Sequence, residues 1–313
     1  MGRYVLSRLA WGVVLVFAVT VATHAMLYAG SGDIARRLLG PMAPPELIAK
    51  KRAELGIDKS WPEQYWAWLT RFLHGDFGRS WLNGQPVTDG IRSRMGVTLS
   101  LVIATVLVTA VVATLLGVAA ARRGGWIDSL IQFLSVLGLA IPGFLIALWL
   151  SVIFAVQLGW FNATGYVPLT ESFSGWRRSV TLPVIALSFA AVAGVAQQVR
   201  GSILDELGKD YVRTLRSRGL SERQVLYRHV LRNASGPALA ILGIQFIALM
   251  GGAVFIEQIF ALPGMGQLAI TSALASDVPM VMGVVVMTTV IVVVANLMID
   301  LVQGALNPKA RRK

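Results

Sequence analysis

Six apolar stretches constrain this chain more than any other feature of its 313 residues. They run over residues 9–28, 97–120, 127–156, 182–199, 237–260 and 278–301. A hydrocarbon core about 30 Å thick is crossed by roughly 20 residues of helix, and each stretch is close to that length or beyond it. Water is absent from that core, so every backbone N–H and C=O must pair within the protein, and apolar runs this long do so as helices. The expected fold class is an all-α polytopic membrane protein with six transmembrane helices. Composition agrees: 14% of residues are charged and 55% hydrophobic, too little charge to cover a soluble domain of this size.

The third stretch is the longest and has Pro142-Gly143 in its middle, where the missing backbone donor predicts a kink. The first follows Arg3 and Arg8 in the manner of a secretion signal. It is long for a signal core, and residues 22–30 hold no clean small-x-small cleavage pattern, so residues 1–30 are expected to stay as an N-terminal transmembrane helix.

Basic residues orient the chain. With the N-terminus inside, residues 1–8, 121–126, 200–236 and 302–313 are cytoplasmic and hold sixteen of the 28 Lys and Arg. The facing loops hold Arg177 and Arg178 in residues 162–181 and none in residues 261–277. Both termini are therefore expected in the cytoplasm. Residues 31–96 hold the other ten basic residues together with seven acids, a mixed-charge folded excursion rather than a basic arm. The net charge of +12 thus belongs to topology, and nucleic acid is not an expected partner.

The excursion at 31–96 is expected to be a helical extracytoplasmic insertion. A helix follows Pro44-Pro45 and stops at Gly56, and a second runs from Pro62 to Phe72. Trp61, Tyr65, Trp66, Trp68, Phe72 and Trp81 predict anchoring at the headgroup level of the lipid. The core permease domain would then be residues 97–313.

Within the 200–236 loop, Gly219 is a natural helix stop, and Ser221 with Gln224 forms a capping box for a second helix. Helix, glycine break and helix make a rigid basic knob close to the membrane, suited to docking in a partner's groove. Gln132, Gln197 and Gln245 are polar groups inside or at the ends of spans and are candidates for a translocation path, with helix–helix contact the alternative for each. Glu257, near the end of the fifth span, is expected to pack against a neighbouring subunit or the returning loop. Pro263, Gly264 and Gly266 open a short external gate before the last span.

Enzyme classes are thin on candidates. The chain has no cysteine, its His24, His74 and His229 lie in different segments, and no Gly-x-x-x-x-Gly-Lys-Ser/Thr phosphate loop occurs. Span centres lack the ionisable residues that an ion-gradient-driven secondary transporter, the rival reading, would use.

Four motifs, in order along the chain, give a resemblance. Arg3-Tyr4-Val5-Leu6 with Arg8-Leu9, then Gly75-Asp76-Phe77-Gly78-Arg79-Ser80, then Asp210 to Ser221 with Arg228-His229-Val230-Leu231-Arg232-Asn233, then Glu257-Gln258-Ile259-Phe260 with Pro263-Gly264-Met265-Gly266, resemble the ABC-importer permeases of the dipeptide and oligopeptide family, B-type subunit. Arg213-Thr214-Leu215 stands where a Glu-Ala-Ala triplet is usual, a departure that peptide-type permeases share. The resemblance implies a type I importer fold in a bacterial inner membrane and a second, C-type permease. It also implies two cytoplasmic ATPases that bind ATP and Mg, an extracytoplasmic substrate-binding protein, and no cofactor on this chain, and it makes Gly219, Leu220, Ser221, Glu222, Arg223, Val225 and Leu226 the expected residues of ATPase contact and coupling. Relatives serving nickel or other small solutes leave the cargo open.

Overall fold

The structure, a computed structural model, describes residues 2–30 and 34–306. The Arg3 and Tyr4 side chains and the basic residues Lys309, Arg311, Arg312 and Lys313, to which the sequence assigns topology, lie outside what is described. The helices are α1 (Gly2–Gly30), α2 (Ile34–Leu39), α3 (Pro45–Leu55), α4 (Trp61–Leu73), α5 (Val87–Arg123), α6 (Gly125–Ala140), α7 (Gly143–Gln157), α8 (Phe173–Leu207), α9 (Asp210–Ser217), α10 (Glu222–Ile259), α11 (Met265–Leu274) and α12 (Val278–Leu306). Five of them (α1, α5, α8, α10 and α12) are long and apolar enough to cross a membrane alone.

The third apolar stretch is broken rather than kinked: α6 and α7 meet at 93°. Proline disfavours the helical region for the residue before it, and Ile141 stands at φ −86°, ψ 121°, in extended backbone. Pro142 at ψ 130° is extended as well, so two successive residues leave the helical path and the axis turns sharply. Counting the bent pair as one span gives six.

Contacts divide the chain into two compact units. One comprises Gly2–Val97 and Pro263–Val293. In it, α3 starts after Pro44 and ends at Gly56, as its sequence predicts. At the start of α4 the Glu63 carboxylate accepts the backbone N–H of Ser60 at 3.0 Å and its hydroxyl at 2.9 Å. These bonds hold the Glu63 carboxyl below the usual carboxylate range.

The aromatic residues of α4 lie mostly on one face, at 61, 65, 68 and 72, and stack in series with centroids 5.4–5.8 Å apart. Tyr65 and Trp68 are buried and pack with Met282 and Val286, with Val21 and Leu27 of α1 beside them. Tyr65 Oη also meets Thr20 Oγ1 at 3.0 Å. This corrects the expectation of a headgroup belt: the ring spacing of three and four residues is that of a buried helix face, and Trp66, off that face, remains exposed.

The other unit comprises Thr98–Leu262 and the stretch from Val294. Its centre is α8 against α10, α6 and α7. Ala186, Ala191, Ala193 and Ala196 are buried along α8, and small side chains let helix backbones approach closely in the absence of a strong hydrophobic drive between spans.

Candidate functional site

The segment between α8 and α10 is built as a braced knob. After α8 ends at Leu207, Glu206 pairs with Lys209 and accepts the Tyr211 hydroxyl at 2.9 Å. The carboxylate raises the Lys209 ammonium above its ordinary value, and burial pushes the Tyr211 phenol up. Helix α9 is amphipathic, with Val212 fully buried while Arg213, Thr214 and Arg216 face out. It ends at Gly219, whose φ of +81° lies in the left-handed region that side chains with a Cβ disfavour.

Ser221 then caps α10. Its hydroxyl accepts the Gln224 N–H at 3.3 Å, and Gln224 Oε1 accepts the Ser221 N–H at 3.1 Å, the reciprocal box that the sequence predicts. Across the glycine turn, Arg216 Nε and Nη2 donate to the two oxygens of Glu222 at 2.7 and 3.0 Å. This pairing raises the Arg216 guanidinium further above its already high value.

The expected contact residues separate into two groups. Val225 and Leu226 are buried, together with Val212 and Val230, against Ala113, Val195, Val199 and Ile203. Their side chains hold the knob onto the bundle and offer no outer surface, because the amphipathic turn needs apolar groups toward the helices it lies on. Leu220 is half-buried beside them. Ser221, Glu222 and Arg223 are exposed, and so is Tyr227, one turn beyond Arg223 on the same face, which the sequence reading does not single out. Glu222 is engaged by Arg216, whereas Arg223 has no partner among the described residues.

The other predicted residues are dispersed. Gln132 on α6 and Gln197 on α8 are exposed, and Gln245 on α10 is half-buried with its amide packed over Gly194. No hydrogen bond joins the three. Glu257 is fully buried, and Thr98 Oγ1 donates to it at 2.5 Å, so its carboxylate faces α5 of its own chain rather than a neighbouring subunit. Gly264 caps α11, and Gly264 and Gly266 are buried while Pro263 is exposed.

Two ionic features escape the sequence reading. Arg200 near the end of α8 clasps Asp128 in the first turn of α6, with Nε···Oδ1 at 2.5 Å and Nη2···Oδ2 at 2.6 Å. Asp277, just before α12, accepts the Ser80 hydroxyl at 2.5 Å and the Trp81 N–H at 3.1 Å. The Gly75 to Ser80 motif shapes the approach, since Gly75 and Gly78 both stand at φ +82° and Asp76 Oδ1 accepts the Gly78 N–H at 2.8 Å. An aspartate directly ahead of an apolar run with Pro279 in its first turn signals a helix start, but nothing in the sequence names Ser80 as its partner.

Among the described residues, five apolar helices, or six with the bent pair counted as one span, carry this braced knob. Residues 113–312 match the family described as the binding-protein-dependent transport system inner membrane component, and residues 1–102 match that system's N-terminal membrane component. The chain belongs to this family, the integral inner-membrane permeases of ABC importers. It is 37% identical over 312 residues to a Brucella abortus (strain 2308) protein named as a peptide transport system permease, with 99% of each chain covered. It is 35% identical over 312 residues to the glutathione transport system permease protein GsiC of Salmonella typhimurium (strain LT2), again with 99% of each covered. Its fold is similar to a chain of the MetNI methionine ABC transporter in inward-facing conformations, with a TM-score of 0.54 and 18% identity over 68% of this chain and 94% of that one. An amino acid ABC transporter with histidines gives a TM-score of 0.52 and 17% identity over 69% and 94%.

Proposed function

We propose that this chain is the B-type permease of an ATP-driven importer of short peptides, forming the translocation path with a second, C-type permease. Relatives named for peptide and glutathione transport, matched from end to end, support the cargo class. Two cytoplasmic ATPases supply ATP and Mg chemistry, and an extracytoplasmic binding protein delivers the solute to the side bearing residues 31–96. On this reading residues 97–313 are the core permease domain.

Topology follows from parity. Arg122 and Arg123 at the end of α5 and the eight basic residues of 200–236 share the cytoplasmic side, as the positive-inside rule favours, if the bent α6–α7 pair crosses the bilayer once. A re-entrant loop would put them on opposite sides. Both termini are then cytoplasmic.

The observation that carries the coupling assignment is the double bracing of the 200–236 knob, by Arg216–Glu222 outside and by Val212, Val225 and Val230 inside. A contact can transmit an ATPase's closure only if it moves as one piece with the spans, and only if one permease conformation prefers the closed partner. Arg223 and Tyr227 form the gripped face, with Ser221 and Glu222 beside it. The gate role of Pro263, Gly264 and Gly266, and the path role of Gln132, Gln197 and Gln245, belong to the same proposal. The test is uptake of a labelled dipeptide and ATP hydrolysis by the reconstituted assembly with Arg223→Ala. Loss of both at normal expression supports the assignment, and unchanged uptake removes the loop from coupling.

A further inference from the structure

In the unit formed by Gly2–Val97 and Pro263–Val293, a cavity of about 320 Å³ opens between the turn after Ser80, the first turns of α5, α11 and the start of α12. Its wall is rich in hydrogen-bond donors. Arg94, half-buried one turn before the apolar part of α5, lines it with Asn83, Gln85, Thr271 and Ser272. Asp277 is the acid in that lining, and both its oxygens are already engaged, by the Ser80 hydroxyl and the Trp81 N–H. Among the described residues, no carboxylate or carbonyl pairs with the Arg94 guanidinium.

An arginine partly withdrawn from water without acceptors is unfavourable, and its planar fork of N–H groups matches a carboxylate held by two parallel bonds. The volume falls at the lower end of small-ligand sites, enough for a carboxylate and the residue that bears it. Thr271 Oγ1 donates to the carbonyls of Gln267 and Leu268, so its lone pairs, and not its proton, face outward. The donors left for a ligand are the Arg94 guanidinium, the side-chain amides of Asn83 and Gln85, and the Ser272 hydroxyl.

We propose that this cavity is a carboxylate-binding site that receives the carboxylate end of a peptide on the permease itself, with Arg94 as its principal ligand-binding residue. The identity of the solute rests on the peptide-importer reading above, while the carboxylate chemistry rests on the cavity alone.

The test measures binding of N-acetyl-alanine to the full chain in lipid nanodiscs, against N-acetyl-alanine amide and inorganic phosphate, with no binding protein present. The acid is expected to bind saturably, the amide and Arg94→Gln to weaken binding about tenfold or more, and Arg92→Gln, an exposed neighbour outside the cavity, to leave it unchanged. Equal binding of acid and amide, wild-type affinity in Arg94→Gln, or phosphate competing as well as the acid would each overturn the assignment. The acid-to-amide ratio on the wild-type chain decides the matter even where Arg94→Gln folds poorly. If the acid binds through Arg94 while the assembly imports no peptide, the importer reading falls and the site stands. If import proceeds and Arg94→Gln binds normally, the site alone falls.

Discussion

Ser80 and Asp277, 197 residues apart in sequence, meet at 2.5 Å, and both are almost fully buried. The bond ties the turn after α4 to the residue that starts α12. Ser80→Ala would leave a buried carboxylate short of one donor and is expected to cost about 1–3 kcal/mol. Asp277→Ala, which also releases the Trp81 N–H, should cost more than Asp277→Asn, which keeps an acceptor. Thermal unfolding in detergent measures the order, and midpoints equal to that of the wild-type chain for all three would show that this contact is dispensable.

Gly283 lies in α12 where a Cβ would stand 2.2 Å from Val87 Cγ1 and 3.2 Å from Ile91 Cδ1. Alanine in a helix gains about 0.5–1 kcal/mol over glycine from chain entropy, but overpacking costs about 1–3 kcal/mol, and a separation this short puts the clash ahead. Gly283→Ala should therefore destabilise, and Val87→Ala in the same chain should recover part of the loss. A double-mutant cycle with no coupling would contradict the close approach.

Asp128→Asn should loosen α6 from α8 by about 1–3 kcal/mol, since it replaces a two-point, charge-assisted pair between two half-buried side chains. Exchanging the two residues, Asp128→Arg with Arg200→Asp, should restore more stability than either single change leaves. Failure of the exchange to improve on both singles would mean that the surroundings, not the pair, set the strength.

The start of α4 should respond to acid. Glu63 has a carboxyl depressed below its unfolded value by the Ser60 hydroxyl and N–H. Its stabilisation is thus present above the unfolded carboxylate range and is lost as pH falls through the folded value. Amide hydrogen exchange at Gln64 and Tyr65 should quicken relative to the intrinsic rate as the pH is lowered into that window. Glu63→Gln should flatten the dependence, and an unchanged dependence would place its origin elsewhere.

The spans were legible because they are set by length and apolar content alone, which lipid solvation dictates locally. Gly219 and the Ser221–Gln224 box were equally legible, because a turn and a cap are decided within four residues. What the sequence hid is pairwise. The α4 rings suit an interface and a core equally well by composition, and only the neighbours Val21, Met282 and Val286 make them core. Val225 and Leu226 lie in a basic segment whose outward groups are obvious, but which residues turn inward depends on where the segment rests on Ala113 and Val199. Asp128 with Arg200, Asp277 with Ser80 and Glu257 with Thr98 are each separated by at least 72 residues, and residue type does not encode partner choice. Pro142 announced a bend, while its size of 93° required both Ile141 and Pro142 to be extended.

The native chain has no cysteine, so single cysteines report their surroundings without background. The most direct measurement places one at position 223 and another at position 66, each on an exposed residue, and identifies the subunit crosslinked to each in the assembled importer. The account predicts that Arg223→Cys crosslinks to an ATPase subunit, with uptake blocked by the link, and that Trp66→Cys crosslinks to none. An ATPase crosslink from position 66, or none from position 223 in an assembly that still transports, would contradict it.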